Sequence, residues 1–271
     1  MSVSNTTNST PLSSTSGEAG RGVVLKNLVI GYPAHNVAGP ITASLHQGEL
    51  CCLLGANGAG KSTLLRTLAA FQPALSGDIL LNGRTLSDIT PRELSTMVGI
   101  VLTERIRMAG ITVRDMVAMG RSPYTNFWGR LTADDNRQVD EALQLVGISD
   151  FANRRISTLS DGERQKVMIA KALAQNTPII LLDEPTAFLD FPSKVEVMLL
   201  LSRLAHDMQK SIFLSTHDLD LALQTADRLW LMGKGMFDVG TPRELADKLP
   251  HYFPSQHLTF APDSLRFTIR L

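Results

Sequence analysis

The sequence contains only two cysteines, Cys51 and Cys52, and they are adjacent. They stand in an apolar run that predicts a strand, where successive side chains point to opposite faces of the sheet. Two cysteines that face apart predict neither a disulfide nor a metal site, so we interpret both as small apolar core residues. The absence of a disulfide framework fits a reducing compartment.

The sequence also lacks an excess of either charge and any long apolar run. Lysine and arginine together number 26, as do aspartate and glutamate, so the net charge of zero gives no reason to expect nucleic-acid binding. No stretch approaches the roughly 20 apolar residues of a membrane span, and the first residues lack the basic and apolar segments of a signal peptide. We therefore expect a cytoplasmic chain that reaches a membrane only through a partner.

From Val23 onward, short apolar segments alternate with helical ones, which predicts an α/β core. Residues 179–182 are apolar at every position, as expected for a strand that is covered on both faces of a parallel sheet. Residues 1–22 are rich in serine, threonine, asparagine and glycine, and we interpret them as a disordered tail. The predicted strands are residues 24–30, 50–54, 79–81, 98–102, 179–183, 212–215 and 229–232.

An inserted helical lobe is predicted at about residues 91–158, where strand signals mostly lapse. Thr132 and Asp135 resemble a capping box, and the apolar spacing after them predicts a helix that Gly147 ends. Beyond the main domain, residues 23–250, a short extension covers residues 251–271. Within that extension, two short apolar segments, residues 258–260 and 267–269, predict a small hairpin.

Residues 55–62 read Gly-Ala-Asn-Gly-Ala-Gly-Lys-Ser, which is the pattern of a phosphate-binding loop. A predicted strand precedes the loop and a predicted helix follows it, so the N–H groups of a helix N-terminus would point at a phosphate. Lys61 would pair with the β- and γ-phosphates, and Ser62 would bind Mg²⁺. The alternative is an accidental glycine-rich turn, which the two flanking elements argue against. The motif predicts a P-loop NTPase core of the RecA-like type.

Three further groups fall where a nucleotide site could use them. Asp183 and Glu184 close a buried strand at its carboxyl end, where one carboxylate can hold Mg²⁺ and the other can orient or deprotonate water; ordinary strand-end acids are the alternative. Ser160 precedes a helical run whose N-terminus is an anion site, although an N-cap is the commoner role of such a serine. His217 follows another strand and is either a core histidine or a sensor of the γ-phosphate.

Together these motifs resemble the ATP-binding subunits of ABC transporters over nearly all of residues 23–250. The matching segments are Tyr32 (the aromatic residue that stacks on adenine), 55–62 (Walker A), 159–163 (signature motif), 179–183 (Walker B), Glu184 (catalytic glutamate), 188–190 (D-loop) and His217 (switch histidine). The resemblance implies that two copies sandwich two ATP molecules, with each signature motif facing the Walker A loop of the other copy.

The resemblance also implies ATP and Mg²⁺ as ligands and assigns residues to each. Catalysis is assigned to Lys61, Glu184 and His217, and Mg²⁺ binding to Ser62, Asp183 and Glu104. The residues implied to contact ATP are Tyr32, Gly55, Ala56, Asn57, Gly58, Ala59, Gly60, Lys61, Ser62, Thr63, Ser160 and Gly162.

Two residues depart from the family pattern. Glu104 occupies the position of the Q-loop glutamine, and its carboxylate can still bind Mg²⁺ but lacks the amide donor. Asp161 replaces the usual glycine of the signature motif. We expect its carboxylate to turn away from the γ-phosphate, and aspartate tolerates the left-handed backbone that a glycine there would supply. Ser160 and Gly162 remain, so we expect ATP hydrolysis.

Within the family, the sequence resembles importers of iron–siderophore complexes, haem and vitamin B12. The segments that carry this second resemblance are residues 120–124, 128–132, 174–178 and 240–242. Three aromatic residues of the lobe, Tyr124, Phe127 and Trp128, form either a docking surface or the lobe's own small core.

We therefore predict an ATP-hydrolysing importer subunit that powers uptake of an iron chelate, haem or a corrinoid. The implied partners are a second copy of this chain, separate transmembrane permease subunits at the inner face of the plasma membrane and, indirectly, a substrate-binding protein. One alternative is a soluble ABC ATPase of iron–sulfur assembly or DNA work, which the neutral charge, the lack of a coiled-coil insertion and residues 120–132 argue against. The other is a nucleotide-gated structural subunit with little turnover. Glu104 and Asp161 suggest it, whereas Glu184 and His217 argue against it.

Overall fold

The structure is a computed structural model that describes residues 22–102, 110–126, 128–255, 258–261 and 265–269. Three sequence-based predictions fall on other residues. They concern the N-terminal tail, of which only Gly22 is described, and the roles of Glu104 and Phe127, both of which lie outside the described residues.

The described strands are, in chain order, β1 (Gly22–Tyr32), β2 (His35–His46), β3 (Leu50–Leu54), β4 (Ser76–Leu81), β5 (Arg84–Thr85), β6 (Val98–Val101), β7 (Ile179–Asp183), β8 (Ser211–Ser215), β9 (Arg228–Gly233), β10 (Met236–Gly240), β11 (Leu258–Ala261) and β12 (Arg266–Ile269). The described α-helices are α1 (Lys61–Leu68), α2 (Pro91–Met97), α3 (Val113–Ala118), α4 (Ala133–Leu145), α5 (Asp161–Ala174), α6 (Phe191–Met208), α7 (Leu219–Thr225) and α8 (Leu249–Tyr252). The described 3₁₀ turns are Leu86–Asp88, Met119–Tyr124, Ser149–Phe151, Ile156–Thr158 and Ala246–Lys248.

The central sheet has six strands in the order β10-β9-β3-β8-β7-β6, parallel except for the edge strand β10. Helices cover both of its faces, which explains why its inner strands are apolar at nearly every position. Cys51 and Cys52 confirm the alternation expected along β3, because each lies in a different one of the two hydrophobic clusters that flank the sheet. Both thiols are reduced and buried.

A second, antiparallel sheet has the order β2-β1-β4-β5 and packs on one face of the central sheet. Its edge strand β2 is not among the strands that the sequence predicts. Gly39 and Pro40 interrupt the first half of β2, and proline in a strand is confined to edges and bulges. Only in the second half does the alternation appear, where Ile41, Ala43 and Leu45 are buried.

Helices α3 and α4 lie within the segment predicted as the lobe, and they pack on each other and on α5, which follows that segment in sequence. The capping box at Thr132 and Asp135 is present, and Gly147 ends the helix with a φ of 71°. Strand β6 falls inside the segment that the sequence analysis assigned to the lobe, but it pairs with β7 in the central sheet.

The C-terminal extension contains the expected hairpin, since β11 and β12 pair antiparallel. Phe260 and Leu265 pack against the larger hydrophobic cluster. None of the helices in the described part of the chain combines the length and the apolar character that a membrane crossing requires.

Candidate functional site

The phosphate-binding loop lies between β3 and α1, as the sequence predicts. Gly58 and Gly60 adopt φ angles of 78° and 108°, which favour glycine. A Cβ at Gly60 would lie 2.6 Å from Val37 Cγ1, whereas a Cβ at Gly58 would meet no atom within 4 Å. The loop therefore packs tightly beneath Gly60 and faces open space at Gly58, as a cradle for phosphate requires.

Lys61 is the first residue of α1, and its side chain bends back over the loop. Its Nζ donates to the carbonyl oxygen of Gly55 at 2.8 Å and to that of Ala56 at 3.3 Å. Burial lowers the pKa of Lys61, while the charges of Glu184 and Asp183 oppose that shift. The ammonium is therefore held inside the loop by neutral carbonyls, next to a place where added negative charge would be favourable.

Three other residues that are predicted to contact ATP differ in their exposure. Asn57 is exposed, Ala59 is buried, and Thr63 is buried in the first turn of α1. The carbonyl oxygen of Thr63 accepts a hydrogen bond from Thr67 Oγ1 at 2.8 Å, which tightens that turn.

Asp183 ends β7 beside the phosphate-binding loop. Its Oδ1 accepts from Ser62 Oγ at 3.3 Å and from Ser215 Oγ at 2.7 Å. A hydroxyl and a carboxylate are hard oxygen ligands, and Mg²⁺ takes one or two of them together with phosphate oxygens and water. Ser62 and Asp183 therefore fit Mg²⁺. No cluster of three or more His, Cys, Asp or Glu side chains that could hold a metal occurs in the ranges described above.

Glu184 follows β7 and is held in an unusual backbone conformation, with a φ of 48°. Its N–H donates to the carbonyl oxygen and to the Oγ of Ser215, at 3.1 and 3.0 Å. Its carboxylate contacts Nε2 of His217. The His217 side chain is 44% exposed, so it is not a buried core histidine.

Ser215 is a site residue that the sequence analysis did not single out. It fixes both the side chain of Asp183 and the backbone of Glu184, because β8 lies next to β7 in the sheet. Its place at the carboxyl end of a predicted strand was the one available signal.

Tyr32 lies at the end of β1, at the tip of the hairpin with β2, and is 46% exposed. The same hairpin contributes Val37 to the packing against Gly60. Tyr32 is therefore an exposed ring on the hairpin that covers the phosphate-binding loop.

Ser160 and Gly162 belong to a second group, at the N-terminus of α5. Ser160 is the N-cap: its Oγ accepts from the N–H of Glu163 at 3.2 Å, and the Glu163 carboxylate accepts from the N–H of Ser160 at 2.8 Å. A Cβ at Gly162 would lie 3.1 Å from Ser193 Oγ of α6. The absence of a side chain at Gly162 thus allows α5 to approach the start of α6.

The backbone conformation of Asp161 differs from the one considered from the sequence. Asp161 is the first residue of α5 and right-handed, so it does not adopt the left-handed backbone that the sequence analysis considered for it. Its carboxylate pairs with Arg164 Nη1 at 2.7 Å, one turn further along the helix. The carboxylate is therefore directed towards a cation of its own helix.

The segment after Glu184 leads into α6. Phe188 is exposed with a φ of 65°, Leu189 is buried, and Asp190 caps α6 by accepting from the N–H of Ser193. Asp218, next to His217, accepts from Thr186 Oγ1 and from Lys194 Nζ, both at 2.9 Å. These contacts tie the His217 loop to Thr186, which follows β7, and to the first turn of α6.

The two described members of the aromatic cluster are exposed. Trp128 is 80% exposed and Tyr124 is 41% exposed, with the Tyr124 hydroxyl donating to the carbonyl oxygen of Gln175 at 3.0 Å. Neither ring therefore belongs to a core of the lobe. Gln175 also lines a neighbouring groove of about 370 Å³, together with Phe71 and Leu94.

A family model for the ABC transporter matches residues 39–187. The chain is 42% identical over 207 residues to an ABC transporter ATP-binding protein of Methanocaldococcus jannaschii, covering 76% of this chain and 71% of that protein. It is 35% identical over 227 residues to the achromobactin transport ATP-binding protein of Dickeya dadantii, covering 83% and 84%. Identity to the iron(3+)-hydroxamate import ATP-binding protein of Bacillus subtilis is 34% over 210 residues, covering 78% of each.

Two solved structures resemble the described fold. One is the inward-facing conformation of a transporter described as of the metal-chelate ABC type, with a TM-score of 0.76, 29% identity, and coverage of 86% of this chain and 89% of that one. The other is a dimeric bacterial ABC transporter cassette, with a TM-score of 0.70, 25% identity, and coverage of 81% and 98%.

Proposed function

This chain belongs to the ATP-binding proteins of ABC transporters, and we propose that it powers uptake of an iron–siderophore complex, haem or a corrinoid through a separate permease. The chain is an ATP-hydrolysing transport ATPase. The observation that carries the proposed cargo is the identity of 34–35% to proteins named for achromobactin transport and iron(3+)-hydroxamate import. The proposed ATPase domain is residues 23–250, with a lobe at about 91–158.

Lys61 and the loop 55–62 are the proposed binding site for the ATP phosphates. The Lys61 ammonium already lies among carbonyl oxygens of the loop, at 2.8 and 3.3 Å, so phosphate binding requires only a shift of its flexible end. N–H groups at the start of α1 add donors to the same anion. The exposed Tyr32 ring, on the neighbouring hairpin, is the proposed platform for adenine.

Glu184 is the proposed group that orients and deprotonates the attacking water. Its carboxylate is part-exposed and contacts His217, and Ser215 holds its backbone in place. His217, once Glu184 has taken the water proton, can hold that carboxyl by a hydrogen bond and donate to a phosphate oxygen. A carboxylate positioned next to an imidazole thus suits in-line attack on the γ-phosphate.

Ser62 and Asp183 are the proposed Mg²⁺ ligands, and Glu104 is proposed as a third. The hydroxyl and carboxylate of the first two lie 3.3 Å apart at the mouth of the phosphate-binding loop. When bound there, Mg²⁺ would neutralise negative charge on the phosphates.

A second copy of the chain is the proposed partner at the nucleotide site. Ser160 and Gly162 start a 14-residue helix, and a helix N-terminus attracts anions. In the proposed dimer they face the ATP that is held by the other copy's phosphate-binding loop. The dimeric form of a similar cassette supports this arrangement.

A cytoplasmic helix of the permease is the proposed occupant of the exposed face formed by Tyr124, Trp128 and the groove beside Gln175. Phe71, which lines that groove, is 62% exposed, and Tyr124 contacts Gln175 of the same groove through its hydroxyl. Exposed aromatic anchors are typical of interfaces that bury a few residues deeply.

Uptake in living cells tests the proposed cargo. A strain that lacks this chain should fail to accumulate iron from one ferric siderophore, or haem or cobalamin, when that compound is the sole source. Wild-type chain should restore uptake, whereas the Glu184→Gln chain, expressed at the same level, should not. Unchanged uptake of all three classes of compound in the deletion strain would contradict the proposal.

A further inference from the structure

A buried arginine of the lobe, Arg121, makes three contacts that no step at the nucleotide site uses. The residue is 5% exposed. Its Nε donates to Asp135 Oδ1 at 2.8 Å, and its Nη1 donates to the carbonyl oxygen of Ala174 at 2.8 Å. Its guanidinium carbon lies 4.0 Å from the centre of the Tyr124 ring. One planar group thus joins the Tyr124 ring, the first turn of α4 and the C-terminus of α5.

The contact with Ala174 lies at the C-terminus of α5, because Ala174 is the last residue of that helix. Carbonyl groups at a helix C-terminus have no partner within the helix and carry partial negative charge. A buried guanidinium there satisfies one such carbonyl, and its fork also binds Asp135 in the first turn of α4. Since the fork is rigid, it sets a direction as well as a distance between the two helices.

The other end of α5 carries Ser160 and Gly162. A helix of 14 residues is about 20 Å long at 1.5 Å per residue, so a small tilt at Ala174 becomes a larger displacement at Ser160. The N-terminus of α5 is also held by the close approach of Gly162 to Ser193 and by the pair Lys166–Glu196 at 2.8 Å. Arg121 therefore controls the end of the helix opposite to the one that the proposed dimer uses.

The same network reaches the exposed face of the lobe. Tyr124 packs its ring on Arg121 and donates its hydroxyl hydrogen to the carbonyl oxygen of Gln175, directly after α5. The side chain of Gln175 donates to the carbonyl oxygens of Ser95 and Val98, at 2.6 and 3.1 Å. A partner that covers Tyr124 therefore contacts a side chain that packs on Arg121 and binds the residue directly after α5.

We propose that Arg121 is a positioning residue that fixes the tilt of α5 and thereby places Ser160 and Gly162 against the nucleotide of the other copy. The proposal rests on the proposed function, which assigns those two residues to a shared site. By the same route, a partner that docks on Tyr124 acts on the shared nucleotide site through the guanidinium of Arg121.

The substitution Arg121→Lys separates a positioning role of this side chain from a role in packing alone. Lysine keeps the positive charge and can pair with Asp135, but it lacks the planar fork that reaches the Ala174 carbonyl at the same time. In the Glu184→Gln background, we expect Arg121→Lys to leave ATP binding to the monomer unchanged and to weaken ATP-driven dimerisation by about tenfold, which corresponds to about 1.4 kcal/mol. Sedimentation with saturating ATP and Mg²⁺ over a range of protein concentrations measures the effect.

Arg114→Lys is the matched control. Arg114 belongs to the same lobe and forms an ion pair with Asp140, but its contacts join α3 to α4 and do not include the C-terminus of α5. We expect Arg114→Lys to dimerise like its Glu184→Gln parent. All variants are compared below their melting temperatures. If Arg121→Lys does not fold, the pair Arg121→Met with Asp135→Leu replaces it, because apolar replacement of a buried ion pair is often neutral for stability.

A distance measurement tests the tilt without any nucleotide. Both native cysteines are fully buried, so spin labels attach selectively to new cysteines at the exposed positions Ser157 and Asp207. The label at 157 lies next to the start of α5, and the label at 207 lies on α6. Pulsed electron resonance should give one narrow distance distribution in wild type and a shifted or broadened one with Arg121→Lys.

Two results separate this proposal from the proposed function. Wild-type label distances and wild-type dimerisation in the Arg121→Lys chain would overturn the positioning role and leave the shared site intact. Absence of any ATP-dependent dimer in the Glu184→Gln parent would instead contradict the shared site, and the label distances would still decide whether Arg121 sets the tilt.

Discussion

The two ends of the proposed ATP site are held in different ways. At the core end, Lys61 comes after β3, and Asp183 and Glu184 lie at the end of β7. Both strands pair with β8, and contacts to backbone atoms and to Ser215 hold these residues. At the lobe end, Ser160 starts α5, which packs on α3 and α4 through side chains and whose far end accepts a hydrogen bond from one buried arginine. The strands of a sheet are held together by backbone hydrogen bonds, whereas a helix that is held by side-chain contacts can tilt as a body.

This difference separates the effects of mutation at the two ends. Changes at the core end should alter binding or chemistry within one copy, because the sheet there stays in place. Changes at the lobe end should alter how well two copies meet, because they move α5 without touching the phosphate-binding loop. The following changes test that division, from the largest expected effect to the smallest.

Glu184→Gln should lower the rate of ATP hydrolysis by roughly 10²–10⁴-fold, since it removes the general base. ATP affinity should persist, because the Lys61 cradle is intact. Phosphate release and isothermal titration measure the two quantities. Glu141→Gln, on the exposed face of α4, is the control and should hydrolyse ATP normally. Near wild-type turnover by Glu184→Gln would refute the role of Glu184.

Asp135→Asn should lower the free energy of unfolding by about 3–5 kcal/mol, because it leaves Arg121 buried without its carboxylate. Hydrogen bonds from Thr132, together with Arg121, lower the pKa of Asp135. Its ionised form therefore stabilises the fold above the unfolded pKa of about 4, and this stabilisation is lost as the pH falls through the lower folded pKa.

The difference between wild type and Asp135→Asn should accordingly shrink as the pH falls below about 4. Urea unfolding at several pH values measures it. Asp134→Asn, whose carboxylate pairs with Arg137 on the surface, is the control and should change stability by less than about 1 kcal/mol. A difference that is independent of pH would show that the charge of Asp135 is not the cause.

Tyr124→Ala and Trp128→Ala should each weaken association with the permease by about 1–4 kcal/mol if they are anchors. Co-purification with the permease that is encoded beside this chain measures the effect. Leu199→Ala, at an exposed apolar position of α6, is the matched control. Normal co-purification of both aromatic variants would refute docking at this face, and lost solubility of both would indicate a packing role.

Lys61→Ala should weaken ATP binding by roughly 10- to 100-fold, the range expected for loss of a hydrogen bond to a charged group. Lys61 is only 6% exposed, and its ammonium lies within the loop. Lys234→Ala, on an exposed turn, is the control. ATP affinity of Lys61→Ala equal to wild type by isothermal titration would show that the loop does not bind the phosphates as proposed.

Local patterns were enough to predict much of the fold. The strand at residues 179–183 matches β7 residue for residue, and the cap at Thr132 and the stop at Gly147 also hold. Each depends on residues that are close in sequence. The strand follows from a continuous apolar run, the cap from a hydrogen bond between residues three apart, and the stop from a glycine that can adopt a positive φ. The loop at residues 55–62 was predictable for the same reason.

Contacts between distant residues could not be predicted from one sequence. Arg121 lies 53 residues from Ala174, and Ser215 lies 32 residues from Asp183, so no local spacing marks either pair. Strand β2 was missed because its signal lies in pairing with β1, while Gly39 and Pro40 obscure the alternation. The backbone of Asp161 is right-handed because this residue already belongs to the first turn of α5.

The most direct test of a site shared between two copies mixes one variant from each end in the Glu184→Gln background. Lys61→Ala disables the core end, and Ser160→Phe blocks the lobe end. We predict that neither forms a dimer with ATP when alone. In an equal mixture, the loop of one chain meets the α5 N-terminus of the other, so we predict an ATP-dependent dimer that contains both chains. A mixture that stays monomeric, while the Glu184→Gln parent dimerises, would contradict the shared site.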